Sequence, residues 1–193
     1  MKRAITLLAS LACPLVGCTV EQSVEPAWSQ VAVEALTAEQ TAQLARATQG
    51  RDALFGALAG ELQAALGEGT PVEAISVCKQ AAPRIAAEVS TAQGIAIGRT
   101  SQRLRNPENQ PPTWAAAYVA GDAEGQACFV GPDGELGVLL PIRTMALCAT
   151  CHGAAEALDA GVAAAIAAQY PADRAVGYGE GDLRGWFWVE VGS

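Results

Sequence analysis

Two cysteines and a histidine are the residues of this chain whose spacing most clearly indicates chemistry. Cys148 and Cys151 are three positions apart, and His152 follows the second thiol directly. This spacing is the attachment signature of c-type haem, in which both thiols bond to the porphyrin and the histidine becomes the proximal iron ligand. His152 is the only histidine among the 193 residues. We therefore expect one covalently attached haem c, with a residue other than histidine opposite His152.

Few side chains could hold the other face of the iron. Protein ligands of haem iron are His, Met, Cys thiolate, Tyr and, rarely, Lys. Met145 lies three residues before Cys148, on the chain that holds the proximal side, so it could hardly reach across. Lys79 is the only lysine after the N-terminal segment. The tyrosines that remain formal candidates are Tyr118, Tyr170 and Tyr178.

Two further cysteines, Cys78 and Cys128, have no role in the attachment signature. In an oxidising compartment a leftover pair suggests a disulfide. Each could equally be an inert buried thiol, since free cysteine is a common core residue, and either could bind iron. The chain alone leaves these three alternatives open, because cysteine pairing cannot be deduced from sequence.

The N-terminus predicts export. Lys2 and Arg3 precede an apolar stretch, residues 4–16, that is too short to span a bilayer. Residues 1–17 are therefore interpreted as a signal peptide. The Leu-Val-Gly-Cys sequence at 15–18 resembles a bacterial lipobox, which implies lipidation at Cys18. The alternative is an ordinary secretory signal that leaves Cys18 as a free thiol.

These features predict a lipoprotein of the cell envelope that faces the periplasm and contacts the membrane through its lipid anchor. Thr19 stands where an aspartate would resemble an inner-membrane retention signal, which favours the outer membrane. Residues 18–35 are interpreted as a lipidated tether and residues 36–193 as one domain. The net charge of −8 becomes −10 without residues 1–17, which carry two basic residues and no acidic one. Such acidity argues against nucleic acid and anionic headgroups as partners.

Helices dominate the first half of the predicted domain. Thr37 and Gln40 fit a capping box that opens a long amphipathic helix ending at residues 67–69. Thr70 and Glu73 fit a second capping box. The apolar stripe of this second helix should turn toward the core and comprises Ile75, Cys78, Ala82, Ile85 and Val89.

The second half has mostly β character. Residues 95–97 form a short apolar run, and residues 127–130 and 136–140 flank a Gly-Pro-Asp-Gly turn, as in a hairpin. An alanine-rich helix is predicted over 154–170 and a final strand over 186–191. This order predicts an α+β fold with an antiparallel sheet flanked by helices.

Four motifs occur in the order found in a known family. They are residues 75–86 around Cys78, residues 98–111 with their Gly-Arg-Thr-Ser and Asn-Pro-Glu-Asn-Gln-Pro sequences, the haem motif, and residues 170–185. The chain resembles a bacterial family of haem-c domains with a PAS-like fold, which occur alone or as extracytoplasmic sensor parts of signalling proteins. The resemblance covers residues 36–191 and implies His152 as proximal ligand and Cys78 as distal ligand. It implies no role for Cys128.

Three arginines, Arg99, Arg103 and Arg105, follow this second helix in what is predicted to be a loop. A guanidinium suits a haem propionate because it binds a carboxylate through two hydrogen bonds. The alternative is a solvated or structural network, which is more common for arginines in a loop. Trp186 and Trp188 are interpreted as core and haem-edge packing, and Asp173, Arg174, Asp182 and Arg184 as residues that fix turns.

A thiolate ligand donates charge to iron, so a His/Cys haem should have a low reduction potential. Loss of the thiolate on reduction would open a site for a diatomic gas. The leading hypothesis is therefore a redox or diatomic-gas sensor rather than an enzyme, with output through an unidentified redox or signalling partner. The alternative is a low-potential electron-transfer cytochrome c. A peroxidase is disfavoured because no second histidine exists to act as acid and base, and zinc binding would lack a fourth ligand.

Overall fold

The structure is a computed structural model that describes residues 27–193. The predicted signal peptide and Cys18 lie outside the described residues. The described strands are β1 (Ser29–Val31), β2 (Ala96–Thr100), β3 (Ala127–Val130), β4 (Leu136–Arg143) and β5 (Leu183–Val191). The described α-helices are α1 (Ala38–Glu68), α2 (Pro71–Gln93), α3 (Thr113–Ala120), α4 (Ala149–His152) and α5 (Ala160–Gln169).

Both predicted capping boxes are confirmed. The Thr37 hydroxyl accepts from the Gln40 amide at the start of α1, and the Gln40 side chain accepts from the Thr37 N–H in return. Thr70 and Glu73 make the same reciprocal pair at the start of α2. Each box satisfies two N–H groups that have no partner within the helix. The long N-terminal helix is therefore delimited as its sequence predicts.

The five strands form one antiparallel sheet in the order β1-β3-β4-β5-β2. The predicted hairpin joins β3 to β4, and the final strand β5 lies inside the sheet, between β4 and β2. The α+β prediction is confirmed, whereas the PAS-like comparison remains a prediction. Within residues 27–193, no helix is both long and apolar enough to cross a bilayer.

Side chains of β5 alternate between two cores because successive residues of a strand point to opposite faces. Phe187 and Val189 join the core beneath α1 and α2. Trp186 is 1% exposed and belongs to a second core on the opposite face, beneath α3. The prediction that Trp186 packs in a core is confirmed. A smaller cluster joins α2 to α5 through Ile75, Val162 and Ile166.

Three sequence predictions are corrected by the structure. The tether does not extend to residue 35, because β1 pairs with β3 and Trp28 stacks on Trp114 with ring centroids 5.3 Å apart. The alanine-rich helix does not begin at residue 154, because the Asp159 carboxylate caps Gly161 and Val162 and starts α5 afresh. Arg99 is not in a loop, because residues 96–100 pair with β5.

Candidate functional site

The cysteine-histidine motif forms a compact turn of helix. Cys148 ends a 3-10 turn over Ala146–Cys148, and α4 follows directly with Cys151 and His152. Both thiols are free and half-buried. The Cys148 sulfur accepts a hydrogen bond from the Met145 amide at 3.3 Å. Two thiols and an imidazole are thus presented together on one short helical segment.

The imidazole of His152 is oriented by a backbone carbonyl. Its Nδ1 lies 2.7 Å from the carbonyl oxygen of Ala175. A carbonyl can only accept, so Nδ1 carries the proton and Nε2 keeps its lone pair. Burial, together with the charges of Arg105 and Arg184, lowers the pKa of His152 to about 3. The neutral tautomer with a free Nε2 is the form of histidine that binds metal ions.

The segment that supplies this carbonyl is itself fixed to the motif. Tyr178 and Gly177 donate backbone hydrogen bonds to the carbonyls of His152 and Gly153 at 2.9 and 2.7 Å. Gly177 has φ +77°, a left-handed conformation that glycine adopts without strain. The Asp173 carboxylate accepts from the Ala175 amide at 2.8 Å, which confirms its predicted role in a turn. Residues 173–178 therefore hold the orientation of His152.

Arg105 ties the same segment to the motif. Its guanidinium donates to the carbonyl of Cys151 at 2.6 Å and to that of Ala175 at 3.3 Å. It also pairs with Asp173 at 3.1 Å, with side-chain exposures of 12% and 9%. Its Nε is buried without a hydrogen-bond partner among the described residues. Arg105 therefore positions the motif.

Cys78 lies on α2 close to the motif. It is half-buried, three residues before Ala81, which contributes to the core beneath α1 and α2. Burial raises the pKa of the Cys78 thiol, against the opposing charges of Arg99 and Arg105, and Cys151 is another electrostatic neighbour. Cys78, Arg99, Arg105 and Cys151, which belong to three separate segments of the chain, thus lie near one another.

Cys128 is elsewhere, in β3, with no exposed surface. Cys128 and Cys78 are both free thiols in the structure. Burial raises the pKa of Cys128. Its position in the core favours the inert-thiol alternative for Cys128, which stays a prediction.

The three candidate arginines have different surroundings. Arg103 is exposed, stacks on Tyr178 with its Cζ 3.9 Å from the ring centroid, and donates to the Tyr178 hydroxyl at 3.2 Å. Arg105 bonds to the carbonyls of Cys151 and Ala175 and pairs with Asp173, as described above. The side chain of Arg99 makes no hydrogen bond or ion pair with any residue in 27–193, and burial lowers its pKa. The electrostatic influence of its neighbours Cys78 and Tyr170 raises the pKa of Arg99 instead. Arg99 is thus a partly buried cation without a counter-ion.

Tyrosines differ in their access to this site. Tyr118 packs against Trp186 in the aromatic core on the other face of the sheet. Tyr178 is buried, edge-on to the His152 ring at 6.3 Å between centroids, and bound by Arg103. Tyr170 is half-buried near Cys78 and Arg99, and burial raises its pKa. Of the three, only Tyr170 lies on the Cys78 side.

Sequence reasoning missed two contacts of His152. The Ala175 carbonyl is a backbone group and has no signature in side-chain identity. Arg184, which the sequence suggested as a turn residue, places its Nε 3.4 Å from Nδ1 of His152. Its neighbour Asp182 does fix a turn, since its carboxylate accepts from the Gly179 amide at 2.7 Å. The strand geometry of β5 brings Arg184 to the imidazole.

Two of the surface clefts on the described residues have linings that do not include the motif. One, about 370 Å³ in volume, borders Arg103, Tyr178 and Asp182 and is mostly polar. The other borders Gly94 and Glu190 at the far end of the sheet. The candidate site is therefore defined by the chemistry of its side chains and their mutual positions.

These observations define a class of protein, an α+β domain that brings a haem-attachment motif against a helix carrying a further cysteine. Residues 20–192 match the Tll0287-like family, and the chain belongs to that family. Its fold is similar to that in a crystal structure of the cyanobacterial heme-protein Tll0287. The TM-score is 0.55 at 21% identity, with 82% of this chain and 98% of that chain covered. No curated protein matches the sequence.

Proposed function

We propose that this chain is an exported haem-binding protein, with one haem c attached through Cys148 and Cys151. His152 is the proximal ligand and Cys78 the distal ligand. The family and the similarity to a heme-protein support this proposal. A haem supplies an iron that exchanges one electron and binds small ligands. The protein's part is to attach it, orient its ligands and set its electrostatic surroundings.

One observation carries the proposal most directly, the 2.7 Å contact between Nδ1 of His152 and the Ala175 carbonyl. Metal-binding histidines nearly always donate their second ring N–H to a carbonyl, a carboxylate or water. Here that donor is satisfied, the ring is fixed by residues 173–178, and Nε2 is the nitrogen left to bind iron. The two attachment thiols lie within the same helical segment.

Cys78 is supported as distal ligand by its position and by elimination. It is a free thiol near Cys151, whereas Tyr118 and Cys128 belong to cores beneath the helices. The guanidiniums of Arg99 and Arg105 favour its thiolate form. Tyr170 and Lys79, whose Nζ lies 5.1 Å from the centroid of the Tyr170 ring, are the remaining competitors on that side of the site.

Arg99 is the best candidate partner for a haem propionate. A guanidinium that is partly withdrawn from water without a counter-ion is unfavourable, and a carboxylate would satisfy it. Arg99 has no such partner within residues 27–193, whereas Arg105 already pairs with Asp173. Nη2 of Arg105 makes this contact and the two hydrogen bonds described above, and its buried Nε has no partner within the described residues. This unmatched charge fits a dianionic cofactor.

We further propose that the protein senses redox state or a diatomic gas at the cell envelope, anchored by a lipid on Cys18. Addition of an electron repels a thiolate, so Cys78 is the ligand expected to take up a proton and leave. Its departure would free a coordination position for a gas while His152 stays fixed by Ala175. The alternative, a low-potential electron carrier, requires that both ligands stay bound in both oxidation states.

Two measurements test this function. Mass spectrometry of the denatured protein should show one haem retained by the wild type and none by the Cys148→Ser, Cys151→Ser double variant. Carbon monoxide should then shift the spectrum of the reduced protein but not that of the oxidised protein. A reduced spectrum insensitive to carbon monoxide, with fast reversible electron exchange, would favour the electron carrier. Absence of covalent haem in the wild type would refute the proposal.

A further inference from the structure

Arg184 occupies an unusual position for a partly buried cation. It lies at the start of β5, where burial and the charges of Arg105 and Arg99 lower its pKa. Arginine nevertheless remains charged in proteins at ordinary pH. Its guanidinium forms no ion pair with a carboxylate among residues 27–193. A permanent positive charge is thus held in a site of reduced dielectric constant.

Within residues 27–193, the hydrogen bond and the ring contact of this guanidinium are to neutral groups. Its Nη1 donates to the carbonyl of Arg103 at 3.3 Å, and its Cζ lies 5.3 Å from the centroid of the Tyr178 ring. Tyr178 is in turn buried, and Arg103 covers it with its Cζ 3.9 Å from the centroid. The nearby carboxylate of Asp173 is engaged by Arg105 and by the Ala175 amide. These contacts position the charge of Arg184 without neutralising it.

The position is directly against the proximal imidazole. Nε of Arg184 lies 3.4 Å from Nδ1 of His152. Nδ1 donates a hydrogen bond to the Ala175 carbonyl at 2.7 Å. A protonated Nδ1 has no free lone pair, so it cannot also accept a hydrogen bond from Arg184. The shorter contact determines the tautomer. Arg184 therefore acts on His152 through its charge and not through a hydrogen bond.

A positive charge near iron stabilises the reduced state, which carries one positive charge fewer. It also opposes electron donation from the imidazole to the metal, whereas a carboxylate at Nδ1 would increase that donation. We propose that Arg184 is a positioning residue of the proximal side that raises the reduction potential of the haem iron against the lowering effect of Cys78. This inference rests on the proposed function, because it requires a haem bound by His152.

The test is a potentiometric titration of the holoprotein, followed by absorbance, for wild type, Arg184→Gln and Arg184→Lys. At the wild-type midpoint, we expect Arg184→Gln to lower the ratio of reduced to oxidised haem about tenfold, which corresponds to about 59 mV for one electron. Arg184→Lys keeps the charge and should stay within about threefold of wild type. Arg46→Gln is the matched control, since Arg46 is exposed, lies outside the site, and its side chain bonds only to the carbonyls of Gln93 and Gly94 at 3.3 Å.

Unchanged potential in Arg184→Gln would overturn the inference, as would an equal fall in Arg46→Gln. If Arg184→Gln fails to fold, Arg184→Lys decides, because a tenfold fall there would show that geometry rather than charge matters. A potential that becomes pH-dependent between about pH 5 and 8 only in Arg184→Gln would show that Arg184 pairs with a propionate instead. The wild-type spectrum separates these results from failure of the proposed function, which would appear as absence of covalent haem.

Discussion

The guanidinium of Arg105 and the carboxylate of Asp173 form an ion pair at 3.1 Å, and both side chains are nearly removed from solvent. The same guanidinium bonds to the carbonyls of Cys151 and Ala175. One buried pair thus joins the cysteine-histidine motif to the segment that orients His152. The stability of the fold and the geometry of the site depend on the same two residues.

Asp173→Asn is expected to lower the free energy of unfolding by about 3 kcal/mol, because it leaves Arg105 buried without its counter-charge. Urea denaturation of the holoprotein measures the change. Glu88→Gln is the control, since it breaks an ion pair with Arg84 whose side chains are 53% and 59% exposed. Its cost should stay below about 1 kcal/mol. Equal costs for the two variants would contradict the structural role of the buried pair.

Gly98→Val should destabilise the sheet next to Arg99. A Cβ at Gly98 would lie 2.6 Å from Cε2 of Trp188, so the indole would have to move. We expect a loss of about 1–3 kcal/mol in the free energy of unfolding, as for other overpacked cores. Gly60→Ala is the matched control, because a Cβ there meets no atom within 4 Å. Helix propensity predicts that this control stabilises α1 by about 0.5–1 kcal/mol. Similar thermal shifts in both variants would argue against the Trp188 contact.

Cys128 should resist alkylation in the native protein. The side chain has no exposed surface, and burial raises the pKa of its thiol. A raised pKa keeps the neutral, unreactive thiol dominant up to and above the usual cysteine range near 8.5. Iodoacetamide at about pH 8 should therefore modify Cys128 only after denaturation. Peptide mass spectrometry gives the answer, and rapid native labelling would show that β3 is exposed.

Trp28→Ala should destabilise the domain, because Trp28 stacks on Trp114 beside the edge strand β1. Loss of a stacked aromatic pair and its buried surface is expected to cost about 1–3 kcal/mol. Val33→Ala, at a residue that is 40% exposed, is the control and should cost less than about 1 kcal/mol. Thermal unfolding distinguishes the two. If neither variant changes the midpoint, the tether extends further into the domain than β1 implies.

Local signals predicted the parts of the fold that local interactions determine. The capping boxes at Thr37 and Thr70 involve residues three positions apart, so the sequence alone locates both helix starts. Pairing of Ser29 with Val130 joins residues that are far apart in the chain, and nothing in a three-residue strand signals it. Arg99 was placed in a loop for the same reason, since its strand depends on pairing with Phe187.

The features of the candidate site likewise divide into those that the sequence predicts and those that only the tertiary fold determines. The spacing of Cys148, Cys151 and His152 is a local feature and could be found in the sequence. The role of the Ala175 carbonyl could not, because every residue has a carbonyl and only the tertiary fold brings this one to His152. Arg184 likewise reaches the imidazole through the course of β5. Sequence patterns identify the groups that bind, whereas the fold determines the groups that tune them.

The most direct test of the account is the absorption spectrum of the purified holoprotein, ferric and then reduced, for wild type, Cys78→Ala and Cys128→Ala. We predict a ferric wild-type spectrum of six-coordinate, low-spin thiolate character that Cys128→Ala keeps and Cys78→Ala loses. Haem attachment should persist in both variants, because Cys148 and Cys151 are unchanged. A Cys78→Ala spectrum identical to wild type would contradict the account, and Tyr170 would then be the residue to examine as distal ligand.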